Sequence, residues 1–358
     1  MKGKRGGFFP GFWFVYIQSF IFFSMFWLLL FSVLMFLFSV YVIMVGADWV
    51  TDSSVHVARR LGTSNLALGL IVISFLLSLP ELVIALSSII KGHPALGFGA
   101  NIGSVIVNIG LIVGISALIR PMRVPRIMVT RDMIFMTVVS IVVVAMALED
   151  NHLSRGDGLV FLLLFIPYAI NVYEQEKNLP HEDRKLKTEK IAETLERYGD
   201  YDMYPKPQTG MKYFLFGVLL LIVGSEIFLR VLMGLAESLN MPELLIGITL
   251  GAIGPSIPNL AAALGATKRG VEELVISETI GSNIFTLLIT LGLIAVLSPM
   301  DIDNLTAMIT APALLLVTFT LLFAMLRGRV TRLDGVILLL IYISTIIFEF
   351  IFRQVKVV

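Results

Sequence analysis

The chain of 358 residues contains no cysteine. Disulfides, thiolate metal sites and thiol nucleophiles are therefore excluded. Charge is scarce as well: 15% of residues are Asp, Glu, Lys or Arg, and the net charge is +1. No basic stripe interleaved with aromatics is present, so nothing marks nucleic acid as a partner. The four histidines show no metal-ligand spacing. There is no phosphate loop and no hydrolase elbow, which leaves neither an enzymatic site nor an ATP site to argue from. Long polar stretches are missing too, with one exception between Glu174 and Met211.

What the chain has instead is apolar length. Hydrophobic residues make up 57% of it, and the mean hydropathy is +0.91. Apolar runs of about 20 residues follow one another, each long enough to cross a hydrocarbon layer of ~30 Å. The chain is thus expected to be an all-α, polytopic membrane protein, because lipid cannot satisfy the open backbone groups of anything but helices or closed barrels. The pattern places spans near 12–31, 34–57, 64–90, 96–119, 128–147, 157–174, 212–235, 242–267, 273–297, 307–326 and 332–352.

Most of this sequence is written twice. Ser78-Leu79-Pro80-Glu81 recurs as Ser256-Ile257-Pro258-Asn259, and Gly103-Ser104 as Gly281-Ser282, every pair 178 residues apart. The same offset joins Val45-Gly46 to Val223-Gly224, Gly92 to Gly270 and Pro121-Met122 to Pro299-Met300. A register held over so many positions is a duplication. It divides the chain into an N-terminal segment with an extra helix (1–33), a first five-helix repeat (34–174), a polar linker (175–211) and a second five-helix repeat (212–358). Five is odd, so the copies must sit upside down relative to each other. Inverted repeats are a hallmark of secondary transporters, which bind substrate near the midplane where the repeats meet.

Loop charge sets the orientation. Arg120, Arg123, Arg126 and Arg131, the lysine-rich linker, and Arg327, Arg329 and Arg332 all fall on one side if the spans alternate. That side is expected to be cytoplasmic. The opposite loops carry Glu149-Asp150, Glu237 with Glu243, and Asp301 with Asp303. The extra N-terminal helix, retained rather than cleaved, would start in the cytoplasm and leave the C-terminus outside.

Glu81 lies deep in an apolar segment, and intramembrane ionisable residues are by default functional hypotheses. Pro80 removes a backbone donor beside it. Ser78 to Glu81 therefore offers a carboxylate, a hydroxyl and loosened carbonyls, a set suited to hard cations. In the copy, Gly254-Pro255-Ser256-Ile257-Pro258-Asn259 has two prolines and reads as a more strongly broken helix, with Ser256 and Asn259 as neutral oxygens. On the next spans, Ser104 and Asn108 share one helix face, as do Ser282 and Thr286. The alternatives are a proline kink with a protonated or snorkelling Glu81, and small polar packing between helices.

Together these motifs resemble the calcium/cation antiporter superfamily, in its sodium/calcium exchanger branch. The resemblance rests on Gly46 to Val50, Ala58 to Gly62 and Ser78 to Glu81 in the first repeat, and on Ser256 to Asn259 and Gly281 to Asn283 in the second. It implies a ten-helix core around four central cation sites, with alternating access by sliding of the two long helices near 34–57 and 212–235. It implies Glu81, Ser78, Ser104, Asn108, Ser256 and Ser282 as ligands, with Asn259 and Thr286 standing where that family has acids. Leu77 and Pro255 stand where it usually has threonine. No cofactor is implied beyond the transported Ca²⁺ and Na⁺ (or H⁺), and a monomer in the lipid bilayer of a prokaryotic cell membrane would suffice.

One carboxylate in place of two bears on the ion. A divalent cation beside a single carboxylate keeps an uncompensated charge in a low-dielectric site, and that is expensive. A monovalent cation or a proton would not. So a monovalent (Na⁺/H⁺-type) antiporter stands beside the Ca²⁺ exchanger, and a non-transporting membrane sensor or assembly subunit stands as the reading from another class. Glu278, one turn before Ser282, could restore a charge. Asp48 and Glu226 are a repeat-related pair that could form an ion or proton route, although Glu226 and Arg230 are spaced to pair within one helix. His56, His93 and His152 read as surface residues without convergent partners.

Overall fold

The computed structural model describes residue 27, residues 29–50, residue 53, and residues 78–177, 210–270 and 272–355. The span expected at 12–31 lies almost wholly outside these residues. So do Ala58 to Gly62, Leu77, His56 and nearly all of the 175–211 linker.

Among the described residues the apolar runs form ten helices: α1 (Leu29–Val50), α2 (Leu79–Ile90), α3 (Pro94–Ile119), α4 (Met128–Glu149), α5 (Arg155–Glu174), α6 (Met211–Ser238), α7 (Glu243–Lys268), α8 (Val275–Leu297), α9 (Thr306–Leu326) and α10 (Arg332–Phe352). Among the described residues, all but α2 are long and apolar enough to cross a membrane. The units α1–α5 and α6–α10 are the two copies. With an odd number of spans each, they run through the membrane in opposite senses, an inverted repeat in an all-α membrane protein.

The duplication is visible in local geometry. Gly92 and Gly270 end α2 and α7, both with φ of 79°. That left-handed conformation is open to glycine at no steric cost and lets the chain turn sharply out of a helix. Widened π-helical turns recur at Asn108–Val113 and Thr286–Thr290, and at Met128–Met133 and Thr306–Thr310. Reciprocal caps open the last helix of each copy: Ser154 and Asp157 on α5, Thr331 and Asp334 on α10.

The copies interlock. α5 packs on the second half of α8, where a Cβ on Gly158 would lie 2.6 Å from the Gly292 carbonyl oxygen. α10 packs on the second half of α3, where a Cβ on Gly335 would lie 2.7 Å from the Gly114 carbonyl oxygen. Two short antiparallel ladders also join the copies: β1 (Met122–Arg123) with β4 (Arg329–Val330), and β2 (His152–Leu153) with β3 (Met300–Asp301). These strands are additions to the all-helical expectation. α3, α7 and α8 are the most buried helices, and α1, α5 and α10 among the least. Exposed Leu37, Leu163, Leu219, Phe323 and Leu340 face outward, as lipid-facing side chains do.

One expectation is corrected. α7 is not broken at its two prolines. Pro255 and Pro258 both lie inside a helix that continues from Ala252 to Arg269. They leave the carbonyls of Gly251 and Gly254 without a helical donor. The strain is taken up one turn earlier, by the widened turn at Gly247–Gly251. Tight packing then holds the helix, since a Cβ on Gly254 would lie 2.4 Å from the Phe228 ring of α6.

Candidate functional site

Four helices meet at the centre, two from each copy: α2, α3, α7 and α8. Ser78 and Glu81 sit at the start of α2, where Pro80 occupies the first turn. A proline is tolerated there because its missing N–H has no helical partner anyway. Glu81 is 2% exposed. One carboxylate oxygen, Oε1, accepts a bond from Asn259 Nδ2 at 3.4 Å, and Oε2 has no hydrogen-bond partner. The two residues are repeat mates, 178 apart, in direct contact across the pseudo-symmetry axis. A distance of 3.4 Å is long for an N–H···O bond. Among the described residues, the side-chain donor to this buried carboxylate is Asn259, over that long bond, and such a group demands a cation or a proton.

The neighbouring polar groups are under-satisfied in the same way. Asn108 donates Nδ2 to Asn283 Oδ1 at 3.0 Å, which turns its own carbonyl oxygen away, buried and without a partner. Ser78 donates to the Ser282 hydroxyl at 3.2 Å, tying α2 to α8 across the copies. The hydroxyls of Ser256 and Thr286 are buried and without partners. Ser104 is turned back on its own helix, donating to the Asn101 carbonyl at 2.9 Å.

A narrow cavity of about 10 Å³, room for one water-sized sphere, opens between α3, α7 and α8. Asn108, Asn259, Glu278, Thr279 and Ser282 give it polar walls, and Ile112, Ala263 and Val275 apolar ones. Among the described residues, no three histidine or carboxylate side chains converge. The centre is thus built chiefly from neutral oxygens with few charges, an environment for a partly dehydrated hard cation.

The structure brings together most of the residues singled out from sequence. Asn108, Asn259, Ser282 and Glu278 share the cavity, Glu81 is joined to it through Asn259, and Ser78 through Ser282. Asp48 and Glu226 do not line it. Asp48 is exposed on α1. Glu226 on α6 takes Lys91 Nζ at 2.7 Å and Arg230 Nε at 2.6 Å on one oxygen. Asn283, which the sequence offers only as part of the Gly281 to Asn283 motif, and Thr279 are not among the ligands expected from sequence. Their signal lay in the repeat: Asn283 faces Val105 at the same register, and Thr279 faces Asn101.

The histidine expectation is corrected. His93 Nδ1 lies 2.6 Å from Glu243, and His152 Nδ1 lies 2.6 Å from Asp301. Each has a carboxylate partner about 150 residues away, which no local pattern reveals. Asp301 accepts the hydrogen bond of His152 and holds its pKa above the usual imidazole value.

Comparison with known proteins agrees with this geometry. The profile of the family described as sodium/calcium exchanger protein matches residues 31–173 and again 209–351, two stretches that begin and end 178 residues apart. The inner membrane protein YrbG of Escherichia coli is 31% identical over 287 residues, covering 79% of this chain and 85% of that protein. The sodium/calcium exchanger MaX1 of Methanosarcina acetivorans is 26% identical over 334 residues, covering 85% and 94%. A solved structure of the sodium-calcium exchanger NCX_Mj superposes with a TM-score of 0.60 at 26% identity, covering 88% of this chain and 97% of that one.

Proposed function

This chain belongs to the sodium/calcium exchanger family, and we propose that it moves Ca²⁺ across the cell membrane against Na⁺ through the site at Glu81. The family consists of multi-pass cation antiporters, which are secondary transporters and not enzymes. The finer assignment rests on one observation. Glu81 is buried, under-satisfied and in contact with its own repeat mate, beside a cavity of one-ion size.

In this reading Glu81 is the charged ligand. Ser78, Asn108, Asn259, Ser282 and Thr286 supply neutral oxygens, with Ser104 and Ser256 behind them. The same carboxylate serves either ion, so Ca²⁺ and Na⁺ compete and one must leave before the other enters. Alternation comes from α1 and α6 moving together over the core. They are in backbone contact where a Cβ on Gly46 would lie 2.9 Å from the Gly217 carbonyl oxygen. Close backbone contact of that kind, which small residues allow, couples the two helices so that they move as a pair. The repeats 34–174 and 212–358 then form the two halves of a monomeric carrier in a prokaryotic cell membrane, with 1–33 as an added N-terminal segment and the linker 175–211 in the cytoplasm.

A second reading has its own support. Asn259 puts an amide where a second central acid would stand, which suits a monovalent cation or a proton. Uptake of ⁴⁵Ca²⁺ into proteoliposomes under an outward Na⁺ or an outward proton gradient separates the two. Na⁺-driven uptake that is lost in Glu81→Gln supports the Ca²⁺/Na⁺ assignment. Uptake driven only by protons makes the counter-ion H⁺. No Ca²⁺ uptake under either gradient moves the monovalent antiporter to first place.

A further inference from the structure

We propose that Glu278 is the second carboxylate of the cation site and fits it to a divalent ion. The proposal rests on the antiporter reading of the same site and goes beyond it by naming what sets the ion's charge.

The two copies place their acids differently. At register 81/259 the first copy has Glu81 and the second Asn259. At register 100/278 the first has Ala100 and the second Glu278. Each copy therefore keeps one acid near the centre. Glu278 stands one turn before Ser282 on α8, on the same helix face. It lines the same cavity as Asn259, which in turn donates to Glu81. Asn259 thus stands between two carboxylates, bonded to one and sharing a cavity with the other.

A second observation points to a ligand there. Asn108, a residue 2% exposed, lines this cavity, and its buried carbonyl oxygen has no hydrogen-bond partner. Its amide nitrogen is fixed by Asn283, so the oxygen is held in an acceptor-only pose. An acceptor oxygen, one carboxylate and a hydroxyl line the one-ion space, and the second carboxylate, Glu81, lies one contact behind Asn259; together they form a hard-cation site. Two negative charges neutralise a divalent ion, whereas one would leave it unpaired in a low-dielectric interior. The charge absent at 259 is supplied from 278, one helix away. Glu278 is half-buried while Glu81 is fully buried, so Glu278 meets the ion at the mouth and Glu81 at depth.

The test measures Na⁺-driven ⁴⁵Ca²⁺ uptake in proteoliposomes for wild type, Glu278→Gln, and the double variant Glu278→Gln with Asn259→Glu. Loss of attraction between a divalent ion and one carboxylate should raise the Ca²⁺ concentration for half-maximal uptake about tenfold or more in the single variant. The double variant returns the charge to the register of Glu81 and should recover most of the loss. A single variant with wild-type Ca²⁺ dependence overturns the role of Glu278. A loss that the double variant fails to repair assigns Glu278 to structure and overturns it equally. Wild type that moves no Ca²⁺ defeats the calcium reading itself, a result distinct from either.

Discussion

The two halves of the central site are copies that have stopped being equal. On the first-copy side, Glu81 is a buried carboxyl group, and Asn108 presents an oriented carbonyl. On the second, the matching positions are Asn259 and Thr286, an amide that serves as donor to Glu81 and a hydroxyl without a partner. The framework around them has stayed symmetric: the same glycine turns, the same widened turns, the same crosswise packing. Duplication thus fixed the backbone while the side chains at its axis diverged. A symmetric site would present two like carboxylates to each other across the axis, and like charges that close must be bridged by cations or share a proton. An amide facing a carboxylate relieves that repulsion without a bridging cation or a shared proton.

The largest effect tests this inequality directly. Glu81→Gln should lower exchange about tenfold to a hundredfold, because charge-assisted contacts are worth ~1.5–3 kcal/mol and each 1.4 kcal/mol is tenfold. Asn259→Gln, the same loss of fit without loss of charge, should cost about tenfold or less. Initial rates of ⁴⁵Ca²⁺ uptake compare them. Equal losses would make the two halves equivalent after all.

Next in size is a test of the symmetric framework. Gly158→Ala and Gly335→Ala each put a methyl group within 2.6–2.7 Å of a facing carbonyl oxygen. Each should destabilise the protein by about 1–3 kcal/mol, the usual cost of overpacking. Thermal unfolding in detergent should show similar losses for the two. A large loss at one with none at the other would mean that the crosswise contacts are not equivalent.

The same contrast explains what the sequence makes legible. The helix order and the duplication can be read directly, because a lipid solvent demands long apolar runs and the 178-residue register is uninterrupted through both centres. The apolar pattern sets spans at 96–119 and 307–326, and the helices run Pro94–Ile119 and Thr306–Leu326. Glu81 and Asn108 stand out because polar groups in apolar helices are rare. Three things are hidden. The continuity of α7 through Pro255 and Pro258 depends on a widened turn upstream and on the Phe228 ring. The ladders and the His93 and His152 pairs depend on partners in the other copy. The cavity depends on three helices at once, so the shared location of Glu278 and Asn259 follows only from packing.

A smaller effect concerns the edge of the moving pair. Lys91, just past the end of α2, holds Glu226 of α6 at 2.7 Å, with Arg230 on the same oxygen. Their side chains are 22%, 37% and 70% exposed. Partly exposed pairs of this kind contribute about 0.2–1 kcal/mol. Lys91→Gln should therefore change the maximal exchange rate by at most about fivefold, and leave the Ca²⁺ concentration for half-maximal uptake unchanged. A shift in that concentration would place the pair in the ion path and join the sliding helices to the site.

The smallest effect compares the two ladders. β1 and β4 set Arg123 opposite Arg329, whereas β2 and β3 set His152 opposite Asp301. Only the second ladder carries a group that titrates near neutrality. Its Asp301 partner raises the His152 pKa in the folded protein. A raised histidine pKa means that the folded state holds the proton more tightly than the unfolded chain. The stabilisation is fully present below the unfolded value of about 6.5 and fades as pH rises through the folded value. Both side chains are well exposed, at 40% and 92%, so the dependence is shallow and should weaken further in high salt. Unfolding midpoints of wild type and Asp301→Asn, followed from pH about 5.5 to about 8.5, should converge at the alkaline end and separate at the acid end, with wild type the more stable there. Separation at the alkaline end instead would show that Asp301 stabilises the ladder without the proton on His152, and the two ladders would then differ in sequence but not in their response to pH.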